Sequence, residues 1–360
     1  MEDWTDGWFG MNCTSRFLLV LSFFLASGAL GNDQGQERVH PGRHCRTVDV
    51  VLLPLVGPLS HPRAEVSGLT WKDESLVILP QFPEIFGKDG VLGFFVLDKK
   101  DIYSSLESVD PVALNPTRIE CLATGMMRII SGFDGLEAMG IMGDRVYLTV
   151  EAKDDTCMAG YLVCGQYQME NDLVTIDMTR LTSIPMGVNI PNIAEESIIV
   201  AGDQVITFSE ANGCNISKKP QAKVFDKTIN YLGSIPFPTI EYRVTDATAL
   251  DNEGRFWAIN YFFPGDAGQL KPGRDLEIEK FGYPENWEEG QCVERLLELR
   301  LVGRERIERT ETPPVYLTLS ENGYCRNWEA VVRLDDDGFL LMTDKYPGTL
   351  LAYVPNPFSR

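Results

Sequence analysis

Polar residues that could do chemistry recur in this sequence in pairs at a nearly fixed separation. Ser67 and Gln81, Glu137 and Glu151, Glu196 and Glu210, and Asp246 and Asn260 are each 14 residues apart, and Glu329 and Asp344 are 15 apart. Each first member is followed by a small residue (Gly68, Ala138, Ser197, Ala247, Ala330). Adding Glu65, two residues before Ser67, gives eight candidate cation ligands: Glu65, Glu137, Glu151, Glu196, Glu210, Asp246, Glu329 and Asp344. Like charges brought together raise one another's pKa unless something neutralises them. A hard cation with several oxygen ligands does this, Ca²⁺ before Mg²⁺. Such an ion would polarise a bound oxygen and orient a water, with Glu137 or Glu329 as the catalytic base. Arg63, Arg243 and Arg326 stand three or four residues before a marked position and Lys345 follows Asp344, so these four are the expected grip on a small anionic substrate. The competing expectation is purely structural: each acid pairs with a nearby arginine or caps backbone amides.

The elements that would position these residues are β-hairpins. Every first member opens a β-rich run that meets a turn (Lys72-Asp73-Glu74, Gly143-Asp144, Gly202-Asp203, Asn252-Glu253-Gly254, Asp335-Asp336-Asp337-Gly338), and a second run ends at the second member. Two further strands follow each hairpin, except that the last unit has only 350–354 before the chain ends. The missing strand is available at 47–53. The fold expected is all-β: a single propeller of five four-stranded blades, or six if 263–327 hides another, closed by the N-terminal strand so that no sheet edge is left open. The marked residues then ring one mouth of the central channel, beside the loops 152–159, 211–220 and 262–291. The opposite face is expected to hold tight turns and little else.

Short motifs at the unit starts resemble the phytase-like family, also described as having esterase-like activity of phytase. They are Glu65-Val66-Ser67-Gly68-Leu69, Asp134-Gly135-Leu136-Glu137-Ala138 and Asn327-Trp328-Glu329-Ala330, with Thr343-Asp344-Lys345 and Phe262-Phe263-Pro264-Gly265-Asp266. The resemblance spans about residues 45–355 and implies a β-propeller that hydrolyses esters or phosphoesters. Ser67 in place of Glu is the main departure.

Composition narrows the alternatives. Against 52 acidic residues stand 32 Lys and Arg, a net charge of −20, which disfavours nucleic acid and anionic membrane surfaces as partners. The three histidines (His40, His44, His61) all precede the first marked residue, and no Gly-x-Ser-x-Gly elbow or phosphate-binding glycine loop occurs, so a serine triad is not expected. Residues 1–31, with an apolar run from Phe17 to Leu25 ending in small residues, read as an export signal or apolar anchor. Residues 32–45 read as a linker and 46–360 as the propeller domain. The expectation is a secreted or periplasmic monomer that is a calcium-dependent phosphoesterase or esterase. A lactonase-like hydrolase and a non-catalytic propeller that binds a ligand or partner are the alternatives.

Overall fold

A computed structural model describes residues 45–358, apart from 89, 154–156, 285–286 and 289. The expected signal segment and His40 and His44 lie outside the described residues. Five antiparallel four-stranded units follow one another along the chain. Blade 1 is Val66–Lys72, Ser75–Pro80, Leu92–Asp98 and Thr117–Leu122; blade 2 is Phe133–Met142, Arg145–Lys153, Met158–Gln168 and Leu173–Ile184. Blade 3 is Glu195–Ala201, Gln204–Ser209, Gln221–Asp226 and Tyr231–Pro236. Blade 4 is Arg243–Ala247, Arg255–Phe262 and Val293–Val302, with a divided outer edge of Arg306–Arg309 and Val315–Leu317. Blade 5 is Trp328–Leu334, Gly338–Thr343 and Leu351–Pro355, completed by Val51–Leu53 from the other end of the domain.

The first strands of the five blades pack against one another in a closed cycle, in the order 1-2-3-4-5-1, around a common axis. This is the five-bladed propeller the repeat predicts. The N-terminal segment does more than close it. Arg46–Val48 runs parallel to Val315–Leu317 at the rim of blade 4, and Val51–Leu53 then pairs antiparallel with Leu351–Pro355 in blade 5, so one short segment fastens both blades.

Alternation of apolar residues along the strands gives each blade two greasy faces, and each blade interface is a separate core. Val77, Leu79 and Phe94 meet Leu136, Val146 and Leu148 between blades 1 and 2. Phe208 and Val224 meet Phe256 and Leu297 between blades 3 and 4. Trp257 and Leu296 meet Phe339 and Leu341 between blades 4 and 5, and Ile78 and Phe95 meet Leu334 and Leu340 across the closure. The tight turns occupy one face as expected. Gly143 (φ 62°) and Gly202 (φ 65°) take the left-handed conformation that hairpin turns require. That face is not empty, however. A cavity of about 760 Å³ opens there between blades 4 and 5, lined by Asp251, Arg255, Glu298, Arg333 and Phe358 among others.

Candidate active site

A β-bulge stands at the start of the first strand of every blade. The register slips at Ser67, Glu137, Glu196 and Glu329, where one residue is inserted against the second strand. A bulge re-aims the side chain of its extra residue, and four of these lie at the channel mouth. The repeated spacing seen in the sequence is therefore a repeated bulge.

Blade 4 corrects the reading of that repeat by one residue. Val244 pairs with Asn260 there, and the slip spans Thr245 and Asp246. Thr245, not Asp246, is the counterpart of Ser67. Ser67 Oγ donates to Leu136 O at 2.6 Å, and Thr245 Oγ1 donates to Trp328 O at 2.6 Å, in each case the carbonyl just before the next blade's bulged glutamate. Asp246 points elsewhere: it is buried and its Oδ2 accepts the Val331 amide at 2.7 Å. The second member shifts likewise. Tyr261 faces the cavity, while Asn260 is buried, accepting from Arg295 Nε and donating to Glu241 O and Arg243 O.

The bulges open onto a cavity of about 660 Å³ lined by Gln81, Glu137, Glu151, Glu196, Glu329 and Asp344, with Arg243, Lys345, Asp266 and four aromatic rings, Tyr261, Phe263, Tyr324 and Tyr346. Gln81 Nε2 reaches over from blade 1 to donate to Glu137 Oε1 at 3.1 Å. Burial, and then the neighbouring Glu151 charge, holds the Glu137 carboxyl well above its ordinary range. Glu151 is pushed up to about 7 by burial and then by the Glu210 and Asp134 charges. On blade 3 Glu196 and Glu210 are both raised as well, chiefly by burial. Glu151 Oε1, Glu196 Oε2 and Glu210 Oε2 are buried without a hydrogen-bond partner. Glu329 is also raised by burial and by Glu210 and Asp344, and its side chain makes no hydrogen bond or ion pair among the described residues. The Arg243 guanidinium works against these rises at Glu196, Glu210 and Glu329.

The basic residues are not disposed as the sequence suggests. Arg326 is buried, bonded through Nε to Glu294 Oε2 at 2.9 Å and through Nη2 to Thr318 O, with its guanidinium over Trp328, and it does not line the cavity. Arg63 is exposed and does not line the cavity. Arg243 does line it, but its charge is committed to Glu210 and, at 2.9 Å, to Asp266. Lys345 sits 3.6 Å from Glu65, which itself lies outside the lining. Against these two committed cations the lining carries six carboxyls, so the expected anion grip has no free cation to make it. His61 is occupied as well, its Nδ1 accepting the Arg63 amide at 3.1 Å.

The expected cation cage is not formed by these residues as they stand. Among the described residues, no group of three or more His, Cys, Asp or Glu side chains is set to hold a metal ion. Glu137 is bonded to Gln81 and Glu210 to Arg243, and Asp246 and Glu65 lie apart from the cavity. What the sequence reading missed is aromatic and loop-borne: Tyr261, Phe263, Tyr324, Tyr346 and Asp266. The length of the 262–291 insertion was the available signal for Phe263 and Asp266. Cysteine pairing was not deducible either. Cys292 bonds to Cys325, and Cys164 is a buried thiol.

The sequence matches no family model and no curated protein. Solved structures with a similar course of the chain include a glycosyl hydrolase from Bacteroides ovatus (9% identity, 85% of this chain and 91% of that one, TM-score 0.46). An exo-1,5-α-L-arabinanase from a bovine ruminal metagenomic library is similar at 10% identity, over 83% and 94%, with a TM-score of 0.43. A mutant α-L-arabinanase from Cellvibrio cellulosa gives 9%, 81% and 90%, and 0.41. These findings overturn the phytase-like resemblance: short blade-start motifs are what bulged propeller strands have in common, and no family match stands behind them. Likenesses this distant carry no activity across to this chain.

Proposed function

We propose that this protein is a hydrolase that cleaves an acetal, as in a glycosidic bond, of an uncharged polyhydroxylated substrate by carboxyl acid–base catalysis in the channel-mouth cavity. One observation carries the reading. Two buried carboxyls of blade 2, Glu137 and Glu151, share a cavity with an unpartnered carboxyl, Glu329, presented from a blade not adjacent in the ring. Acetal hydrolysis needs this kind of equipment, one carboxyl to give a proton and another to act on water or on the positive carbon. It needs no nucleophilic hydroxyl or thiol. Among the described residues the lining's one serine hydroxyl, Ser67, donates to Leu136 O, and its one cysteine, Cys325, is in a disulfide. Two paired cations against six acids favour a neutral substrate.

In this scheme Glu137 gives its proton to the leaving oxygen as the C–O bond breaks and is reprotonated from solvent, to which Glu329 later releases the proton that it takes from water. Glu329 acts in its ionised form, taking a proton from the water whose oxygen bonds to the acetal carbon; burial raises its carboxyl, and the Arg243 guanidinium works against that rise. The test is turnover of a panel of 4-nitrophenyl glycosides. At least one should be hydrolysed, with loss of 100-fold or more in Glu137→Gln and in Glu329→Gln at an unaltered melting temperature. Binding without turnover across the panel would leave a ligand-binding propeller instead.

A further inference from the structure

Beside the acidic cavity lies a second one of about 730 Å³, and the two share a wall, since Phe263 and Cys325 line both. The wall is fixed in place. Cys325 is tied by the disulfide to Cys292, next to Val293–Val302 of blade 4. Behind it Arg326 anchors the same loop on Glu294. The second cavity differs from the first in chemistry. Among the described residues its lining holds no Lys, Arg or His, and of the two carboxyls among them Glu294 is buried and spent on Arg326 and Trp328, while Glu321 is at the exposed edge. What remains is uncharged and hydrogen-bonding, Thr47, Gln291, Thr318 and Ser320, around aromatic rings. Trp287 is prominent among these. It is backed by Tyr283, with ring centroids 4.8 Å apart and planes at 21°, and its Nε1 has no hydrogen-bond partner.

We infer that the two cavities are halves of one cleft, and that the second binds the continuation of a carbohydrate chain whose scissile bond lies over the acids, with Trp287 as its platform. The choice of ligand rests on the function proposed above. An aromatic face set among hydroxyls and the Gln291 amide, with no cation among the described lining residues, suits a polyhydroxylated ring. It does not suit an anion or a purely apolar group. The substrate is accordingly an oligosaccharide, not an isolated sugar derivative.

The experiment measures hydrolysis of gluco-, manno-, xylo- and arabino-oligosaccharides of two to five units beside the matching 4-nitrophenyl monosaccharides. In the unmodified protein kcat/KM should rise with chain length for one series. In Trp287→Ala the ratio of kcat/KM for the four-unit chain to that for the nitrophenyl glycoside should fall about tenfold, and Trp287→Phe, which keeps a ring, should recover most of it. An unchanged ratio in Trp287→Ala overturns the inference, and Gln291→Ala offers the same readout should that variant fold poorly. Calorimetric binding of the chains to Glu137→Gln separates the two proposals. Trp287-dependent binding by a protein that cleaves nothing sustains the cleft and removes the hydrolase; cleavage indifferent to Trp287 and to chain length does the reverse.

Discussion

Burying Glu137, Glu151, Glu196 and Glu329 around one cavity makes proton uptake part of folding. Each has its carboxyl raised from an ordinary value of 4.5, Glu151 to about 7. Between the unfolded and folded values the native state therefore binds more protons than the unfolded chain, and stability falls as pH rises through that window. Counting Glu151 alone, the loss between pH 4.5 and 7 is roughly 3 kcal/mol. Guanidinium unfolding at pH 5 and at pH 8 should show the higher midpoint at pH 5, and the difference should shrink in Glu151→Gln. A pH-independent midpoint would mean that the acids are not buried together. At this scale the sequence was legible where residue type and geometry coincide, as at Glu137, Glu196 and Glu329. It misled at Asp246, where an acid adjoins the bulge but the bulged hydroxyl is Thr245. Because side chains alternate along a strand, an error of one residue turns a channel ligand into a backbone acceptor. Arg326 misled for another reason: three residues from Glu329 along the chain, it satisfies Glu294 from a different strand.

The element that matters is the bulged first strand. Its extra residue is held by a hydrogen bond to the next blade wherever it is a hydroxyl, and this links site geometry to ring geometry. Replacing Thr245 by Val keeps the shape and leaves the Trp328 carbonyl without that donor in a buried setting, which costs about 1–3 kcal/mol. Chemical denaturation should register that loss for Thr245→Val and a similar one for Ser67→Ala. A cost near zero at both positions would show that the bulges do not depend on these bonds. The loop that carries Tyr324 and Asn327 to the cavity depends on a different fastening, the disulfide between cysteines 33 residues apart. On the chain-entropy account a loop of that length is worth about 3–4 kcal/mol. The Cys292→Ser, Cys325→Ser double variant should melt lower by a corresponding amount and, if the shared wall loosens, show a raised KM for longer chains. Strand positions were readable from alternation and turn residues; the loops were not, because nothing periodic constrains Phe263, Tyr324 or Tyr346.

For the whole molecule the decisive feature is that blade 5 borrows its last strand. The sequence announced this through a deficit, a final unit one strand short and a spare β-rich segment at 47–53. It could not announce that the segment divides, with Arg46–Val48 serving blade 4 and Val51–Leu53 serving blade 5. Nor could it reveal the 760 Å³ cavity on the turn face, which arises from how two blades diverge. Closure makes the ring a single cooperative object, since each blade interface is one core and the fifth exists only if the ends meet. Leu53 tests this. It is 3% exposed and packs in the core between blades 5 and 1, with Leu76, Ile78 and Leu351. Leu53→Ala removes buried methyl groups in a short strand that has little else to hold it, at a cost of about 2–5 kcal/mol. If closure couples all five blades, unfolding followed by tryptophan fluorescence and by far-ultraviolet circular dichroism should stay coincident while the midpoint drops. Were the terminal strand merely an appendage, the midpoint would hold and only its local amide protection would be lost. The same substitution should leave the chain-length preference of hydrolysis intact, since Leu53 lines neither of the two channel-mouth cavities.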